Sequence, residues 1–229
     1  MTSDKVAAKR SAKADAIKAA ARQCLAERGA AALSLREVAR NMGEASSALY
    51  RYFPSRDGLL TALIIDAYND LGAVAEASAS KSQGSPPVER IGELAAAIRT
   101  WAKTHTHEYA LIFGSPIPNY QAPASTIAAA SRIPMAMASI LEGTTVRDQP
   151  FGEASFPETA LDRANLAELL PNFSPDIQAR CLLMWSSIFG LISFELFGHF
   201  VGSVANNEVF FHAALVDLTH QLGLSSSSE

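Results

Sequence analysis

The stretch Ser34–Arg56, SLREVARNMGEASSALYRYFPSR, limits what this chain can fold into more than any other. Ser34 is placed to cap a helix, with Glu37 at the third residue after it, as in a capping box. Leu33 before the cap and Val38 four residues after it have the spacing of a hydrophobic staple. Val38, Ala39 and Met42 supply one apolar face, and Gly43 fits a left-handed stop. A second short helix is predicted over Ser46–Tyr52, closed by Pro54. Short helix, glycine turn, short helix is the outline of a helix-turn-helix, whose second helix enters a DNA major groove.

Residue types in the second helix suit that task. Ser46, Ser47 and Ala48 are small, so a backbone carrying them can sit deep in a groove, and the serine hydroxyls can reach base edges or phosphates. Tyr50 and Tyr52 add phenolic donors, while Arg51 and Arg56 add charge. Leu49 and Phe53 read as core, and Tyr52 and Arg56 as phosphate contacts, Arg56 standing at the start of the next helix, whose dipole also draws anions.

Charge is segregated along the chain. Residues 1–60 hold eleven Lys/Arg against six Asp/Glu, whereas the rest hold eight against seventeen, so a basic end adjoins an acidic body. That distribution fits a DNA-binding segment joined to a regulatory one. Lys5, Lys9, Arg10 and Lys13 lie at the start of the first helix, predicted over 7–28. They form either an arm along the DNA or a solubilising terminus.

The remaining chain reads as helices without strand-like alternation. Ser55 caps a long helix over 56–80 with Leu59, Leu60, Leu63, Ile64, Ala67, Leu71 and Val74 on one stripe. Its length, about 36 Å at 1.5 Å per residue, makes it the natural lever between two halves. Helices are expected over 87–106, 108–113, 124–141 (kinked or split at Pro134), 158–170, 175–201 and 206–222, with a loop over 144–157 and an unstructured SSSSE tail. Leu182–Val201 is long enough to span a bilayer, but Glu195 sits inside it and no basic flank accompanies it, so a core helix at a dimer interface is the preferred reading. Cys24 and Cys181 suggest a reducing, cytoplasmic compartment, and no signal peptide is read at the start.

No catalytic, metal or cofactor pattern stands out. His105 and His107 are two apart and point to different helix faces, phosphate-loop and dinucleotide fingerprints are missing, and Ser115 lacks a nucleophile elbow.

ALYRYFPSRDGLL, within residues 34–60, resembles the N-terminal domain of TetR-type transcriptional regulators. EYALIFGSPIP and WSSIFGLISFELFG are similar, more loosely, to the ligand-binding half of the WHG subgroup, with Phe189 where a histidine often precedes the glycine. Glu44 departs from the apolar residue usual in the turn. The resemblance implies an all-α protein: a three-helix DNA-binding domain over 1–55 joined to a ligand-binding and dimerisation domain over 56–229. It also implies a repressor released from double-stranded, inverted-repeat DNA by a small apolar ligand. Arg36 joins the candidate DNA contacts on this ground, making the set Ser34, Arg36, Ser46, Ser47, Tyr50, Arg51, Tyr52 and Arg56. A ligand pocket is expected among Trp101, His105, Tyr109, Phe113, Tyr120, Trp185 and Phe189, with Glu108 and Glu195 as further polar contacts. The alternatives are a helical protein-binding scaffold and a small-molecule carrier without DNA binding.

Overall fold

The computed structural model describes residues 2–142, 144, 146 and 161–224, and no strand occurs among them. The helices are α1 (Thr2–Arg28), α2 (Leu35–Asn41), α3 (Ser46–Tyr50), α4 (Arg56–Lys81), α5 (Pro87–Thr104), α6 (Thr106–Phe113), α7 (Ile127–Leu141), α8 (Arg163–Leu169), α9 (Pro175–Leu196) and α10 (Asn207–Leu222). Short 3-10 turns occupy Ala30–Ala32 and Ala124–Thr126. The expected loop over 144–157 and the 225–229 tail fall almost wholly outside the described residues, as does the start of the helix expected at 158.

Helix ends follow local chemistry. Ser174 caps α9 by accepting from Ile177 N, with Pro175 at the first helical position. Asn206 caps α10, its Oδ1 accepting from the Glu208 and Val209 amides at 3.0 and 3.1 Å. The helix expected to reach residue 201 stops at Leu196, because Gly198 takes φ 78° and the Gly198 and His199 amides turn back to Glu195 O and Phe194 O. Pro134 neither splits nor ends α7, which runs continuously through it.

The chain forms two compact units. One comprises residues up to Asn69 with His105–Ala129; the other comprises Asp70–Thr104 with Ala130 onward. In the first, Ile17, Ala21, Cys24 and Leu25 of α1 meet Leu35, Val38 and Ala39 of α2, Leu49 of α3 and Leu59, Leu60, Leu63 and Ile64 of α4. Leu111 of α6 completes this core, and Ile112, Ile117 and Tyr120 pack against it. Ion pairs support it: Asp66 accepts from Lys18 and from Arg22, the latter at 2.7 Å. Cys24 lies in this core, and burial pushes its thiol up.

In the second unit the stripe of α5 formed by Ile91, Leu94, Ile98 and Trp101 is buried together with Ile188 and Ile192 of α9 and Phe211 and Leu215 of α10. The Arg99 guanidinium grips both carboxylate oxygens of Glu195, at 2.6 and 2.7 Å, and lies 5.2 Å from the Phe211 ring centre. Arg90 reaches the carbonyls of Ala79 and Ile140, near the C-terminal ends of α4 and α7. Burial pushes the Cys181 thiol up to about 12, which makes it an inert core thiol.

Candidate nucleic-acid interface

The interface is built on the turn between α2 and α3. Ser34 Oγ accepts from Glu37 N at 3.2 Å, opening α2. The reciprocal half of a capping box is not made, because the Glu37 carboxylate pairs with Arg28 and, at 3.4 Å, with Arg40. Leu33 and Val38, the expected staple pair, are both buried in the core. With Leu35, Val38 and Ala39 turned inward, Arg36 and Arg40 are left exposed one helical turn apart.

Gly43 takes φ 67°, a conformation that L side chains rarely adopt. Its amide donates to Arg40 O at 3.1 Å and the Glu44 amide to Ala39 O at 2.9 Å, the two bonds of a Schellman stop. Such stops usually carry an apolar side chain at the position of Glu44. Here the carboxylate pairs instead with Lys13 of α1, which ties the turn to the first helix and cancels a negative charge beside α3.

One buried residue, Leu49, anchors α3. That anchoring leaves Ser47 and Tyr50 exposed, Tyr50 at 44 % of its full surface, with Arg51 exposed just beyond and Ser46 half-buried. Tyr52 packs half-buried on the core and Phe53 is buried, as expected of Phe53. Neither Arg36 nor Arg51 has an ion-pair partner among the described residues. An exposed, unneutralised arginine can release counterions on meeting a phosphate, whereas one already paired gains less.

Arg56 is differently placed. Its guanidinium donates to Leu33 O at 3.1 Å, to Ala30 O at 3.0 Å and to Ala31 O at 3.4 Å, which ties the 3-10 turn to the start of α4. Hydrogen bonds from a charged donor contribute about 1.5–3 kcal/mol. Arg56→Ala is therefore expected to lower the unfolding free energy by about that much in urea denaturation. An unchanged midpoint, with only a shallower salt dependence of DNA binding, would assign Arg56 to phosphate alone. Arg40, exposed one turn from Arg36 and paired with Glu37, is a cation of this face that the sequence reading does not single out. Its spacing of four from Arg36 was the available signal.

The residues expected to line a pocket fall in both units. In the first, Tyr109 is fully buried, its ring centre 5.1 Å from that of Phe113, and Phe113 stands edge-on to Tyr68. Tyr120 shares a hydrogen bond of 3.0 Å with the Thr61 hydroxyl, while His105 is exposed at the start of α6. Glu108 lies 3.9 Å from Arg22. In the second, Trp101 and Phe189 are buried, and Trp185 packs on Phe189 with ring centres 4.5 Å apart. Glu195 is taken by Arg99 and, at 3.5 Å, by Lys103.

Residues 17–63 match the model described as bacterial regulatory proteins, tetR family, and residues 91–218 match the tetracyclin repressor-like C-terminal domain. The chain belongs to the TetR family. Among its TetR-type relatives is the HTH-type transcriptional regulator Rv1816 of Mycobacterium tuberculosis, 36 % identical over 183 residues, which are 78 % of each chain. The regulator Mb1846 of Mycobacterium bovis matches to the same extent. Among solved structures, the protein SCO4313, described as regulatory, superposes with a TM-score of 0.72 at 32 % identity, covering 93 % of this chain and 97 % of its own. PfmR of Thermus thermophilus, named a TetR family transcriptional regulator, shares the fold with a TM-score of 0.56 at 17 % identity, covering 89 % and 97 %. In this TetR-family chain the helix-turn-helix thus presents Arg36, Ser47, Tyr50 and Arg51 outward from a core that fixes every turn around them.

Proposed function

We propose that this TetR-family transcriptional regulator binds an inverted-repeat operator in double-stranded DNA as a homodimer, and represses transcription until a small apolar ligand releases it. The observation that carries the DNA-binding part is the exposed face of α3 and its flanks: small hydroxylated side chains beside unneutralised arginines, held by a buried Leu49. Residues 1–55 supply the DNA contacts Ser34, Arg36, Ser46, Ser47, Tyr50, Arg51 and Tyr52, with Arg56 just beyond them. Residues 56–229 supply ligand binding and dimerisation. Within the DNA set, Ser46 and Ser47 read bases, Arg51 and the tyrosines position the backbone, and Arg56 acts through the turn that it holds.

Dimerisation is supported by the apolar side chains that α9 and α10 leave exposed, among them Leu182, Leu183, Phe194, Phe210 and Val216. A two-fold dimer brings two α3 helices to half-sites separated by one turn of DNA or a multiple, about 34–36 Å per turn. Ligand binding is proposed for aromatic and polar groups within each unit, His105, Tyr109, Phe113 and Tyr120 in the first and Trp101, Trp185 and Phe189 in the second, a mixture suited to an apolar molecule. α4 carries Arg56–Asn69 in the first compact unit and Asp70–Lys81 in the second, so one continuous helix belongs to both. A coupling of about 1–3 kcal/mol between ligand and operator would weaken DNA binding roughly 5- to 150-fold, and operator would weaken ligand binding equally. The WHG-type subgroup remains our narrower assignment, resting on 108–118 and 185–198. No catalysis, cofactor or membrane enters the proposal. Among the described residues, three helical stretches are long and apolar enough to cross a bilayer, but 44–50 % of the most apolar 18-residue window in each is buried inside the protein. A cytoplasmic location accords with two buried free thiols.

Ser47→Ala and Arg51→Ala separate the roles. Ser47→Ala is expected to change preference at one base step by about 1–3 kcal/mol. Arg51→Ala should weaken all duplexes alike and reduce the salt slope by about one. Competition binding on operator and scrambled duplexes at several salt concentrations reads both. A reversed pattern would overturn the division, and salt-insensitive binding by the unaltered protein would overturn the function.

A further inference from the structure

The first helix offers a feature that the helix-turn-helix does not use. A cleft runs between the start of α1 and the end of the α3 turn, lined by Lys5, Lys9, Arg10 and Lys13 on one side and Arg51 and Tyr52 on the other. Lys5, Lys9 and Lys13 stand four apart and so share a helix face. Ala12 and Ala16 also line the cleft, and their short side chains let a bulky strand approach the helix closely. No carboxylate lines it. Lys13 is already paired with Glu44, a contact that fixes α1 against the turn. Lys5, Lys9, Arg10 and Arg51 have no ion-pair partner among the described residues. Other cations of this unit, Lys18, Arg22, Arg28, Arg40 and Arg56, do pair.

Lysines four apart on a helix repel one another, and α1 gains nothing locally from stacking them on one face. A polyanion laid along that face removes the repulsion and releases its own counterions. We propose that this cleft seats a stretch of the DNA sugar–phosphate backbone beside the major-groove site, with Lys5, Lys9, Arg10 and Arg51 as its contacts. The inference rests on the DNA-binding function proposed above. It makes α1 a rigid third element of the interface, helical from Thr2 onward rather than a flexible arm, and one that adds affinity without reading sequence.

The test uses the full chain carrying K5Q, K9Q and R10Q together, beside the unaltered protein. Both are titrated by fluorescence anisotropy against the operator that the unaltered protein selects and against a scrambled duplex, over a range of salt concentrations. Each lost phosphate contact should reduce the slope of log affinity against log salt by about 0.9, so the triple variant should lose about 2.7, with its preference for operator over scrambled DNA preserved. Lys5, Lys9 and Arg10 are all exposed, so the melting temperature should not move. The single variant K9Q, losing about 0.9, gives the same reading if the triple variant is poorly behaved. An unchanged slope overturns the proposal and leaves the cleft to an acidic protein partner or to solvent. A changed base preference with an intact slope overturns it in favour of base reading by α1. If the unaltered protein selects no duplex, the parent function fails instead, and that outcome is visible before any variant is made.

Discussion

Replacing Leu111 by alanine is expected to unfold or loosen the helix-turn-helix, although Leu111 lies 55 residues beyond Arg56 in the chain. Its side chain is buried in the same core as Leu35, Val38, Leu49 and Leu60. Truncating a buried leucine removes its transfer free energy and leaves a cavity, together about 2–5 kcal/mol. A domain of this size has only about 5–15 kcal/mol in hand. Hydrogen exchange should therefore speed up in α1, α2 and α4, and operator affinity should fall with no change in base preference. The neighbouring contacts act in the same direction: Tyr120 with Thr61, and Tyr68 with the Ile112 carbonyl. If Leu111→Ala left exchange in α2 unaltered, α6 would be an accessory to this unit and not part of its core.

The other large effect belongs to Glu195. Its side chain is 9 % exposed and carries the charge that neutralises Arg99, itself buried between α5, α9 and α10. Removing one member of a buried pair leaves an uncompensated ion and costs about 3–5 kcal/mol, so Glu195→Ala should destabilise the second unit by that amount. Replacing both partners, as in Arg99→Met with Glu195→Leu, should recover most of the loss, because no buried charge then lacks its partner. The hydrogen bonds from Arg99 hold the Glu195 carboxyl below its ordinary value of 4.5. A depressed folded pKa contributes stability that is fully present above the unfolded value and is lost as pH falls through the folded one. Unfolding free energy measured from neutral to acid should therefore decline below about pH 4.5, with a smaller decline in the double variant. An equal decline in both would place the acid sensitivity elsewhere.

Features set by neighbouring residues were legible in the sequence. Ser34, Gly43 and the Ser174-Pro175 pair mark helix ends through bonds that span three to five positions, and the structure makes those bonds. The inward faces of α2 and α4 followed from periodicity for the same reason. Pro134 does not split α7, because a proline costs a helix one backbone bond and a local clash, while the residues on either side of it, Ile133 and Ala136 among them, are buried along the same helix. Partners distant in sequence were not legible. Nothing near Glu195 announces Arg99, 96 residues earlier, and nothing near Glu44 announces Lys13, 31 residues earlier. The pocket expected among Trp101, His105, Tyr109, Phe113, Tyr120, Trp185 and Phe189 rested on the TetR resemblance, because composition does not tell which core a side chain enters. Arg56 shows the same limit, since an arginine after a helix-turn-helix suits phosphate and backbone carbonyls equally well until the turn at Ala30–Ala32 is seen beneath it.

In the proposed complex two copies of this chain read two half-sites of one DNA. The most direct measurement is selection of duplexes from a random pool by the purified protein, with the mass of the selected complex determined in the same experiment. The expected result is enrichment of an inverted repeat whose half-sites lie about one helical turn, or a multiple, apart, bound by two or an even number of chains. Affinity for the enriched sequence should be about 10³–10⁷ times that for the unselected pool at physiological salt. No enriched sequence, or a single asymmetric site held tightly by one chain, would contradict it.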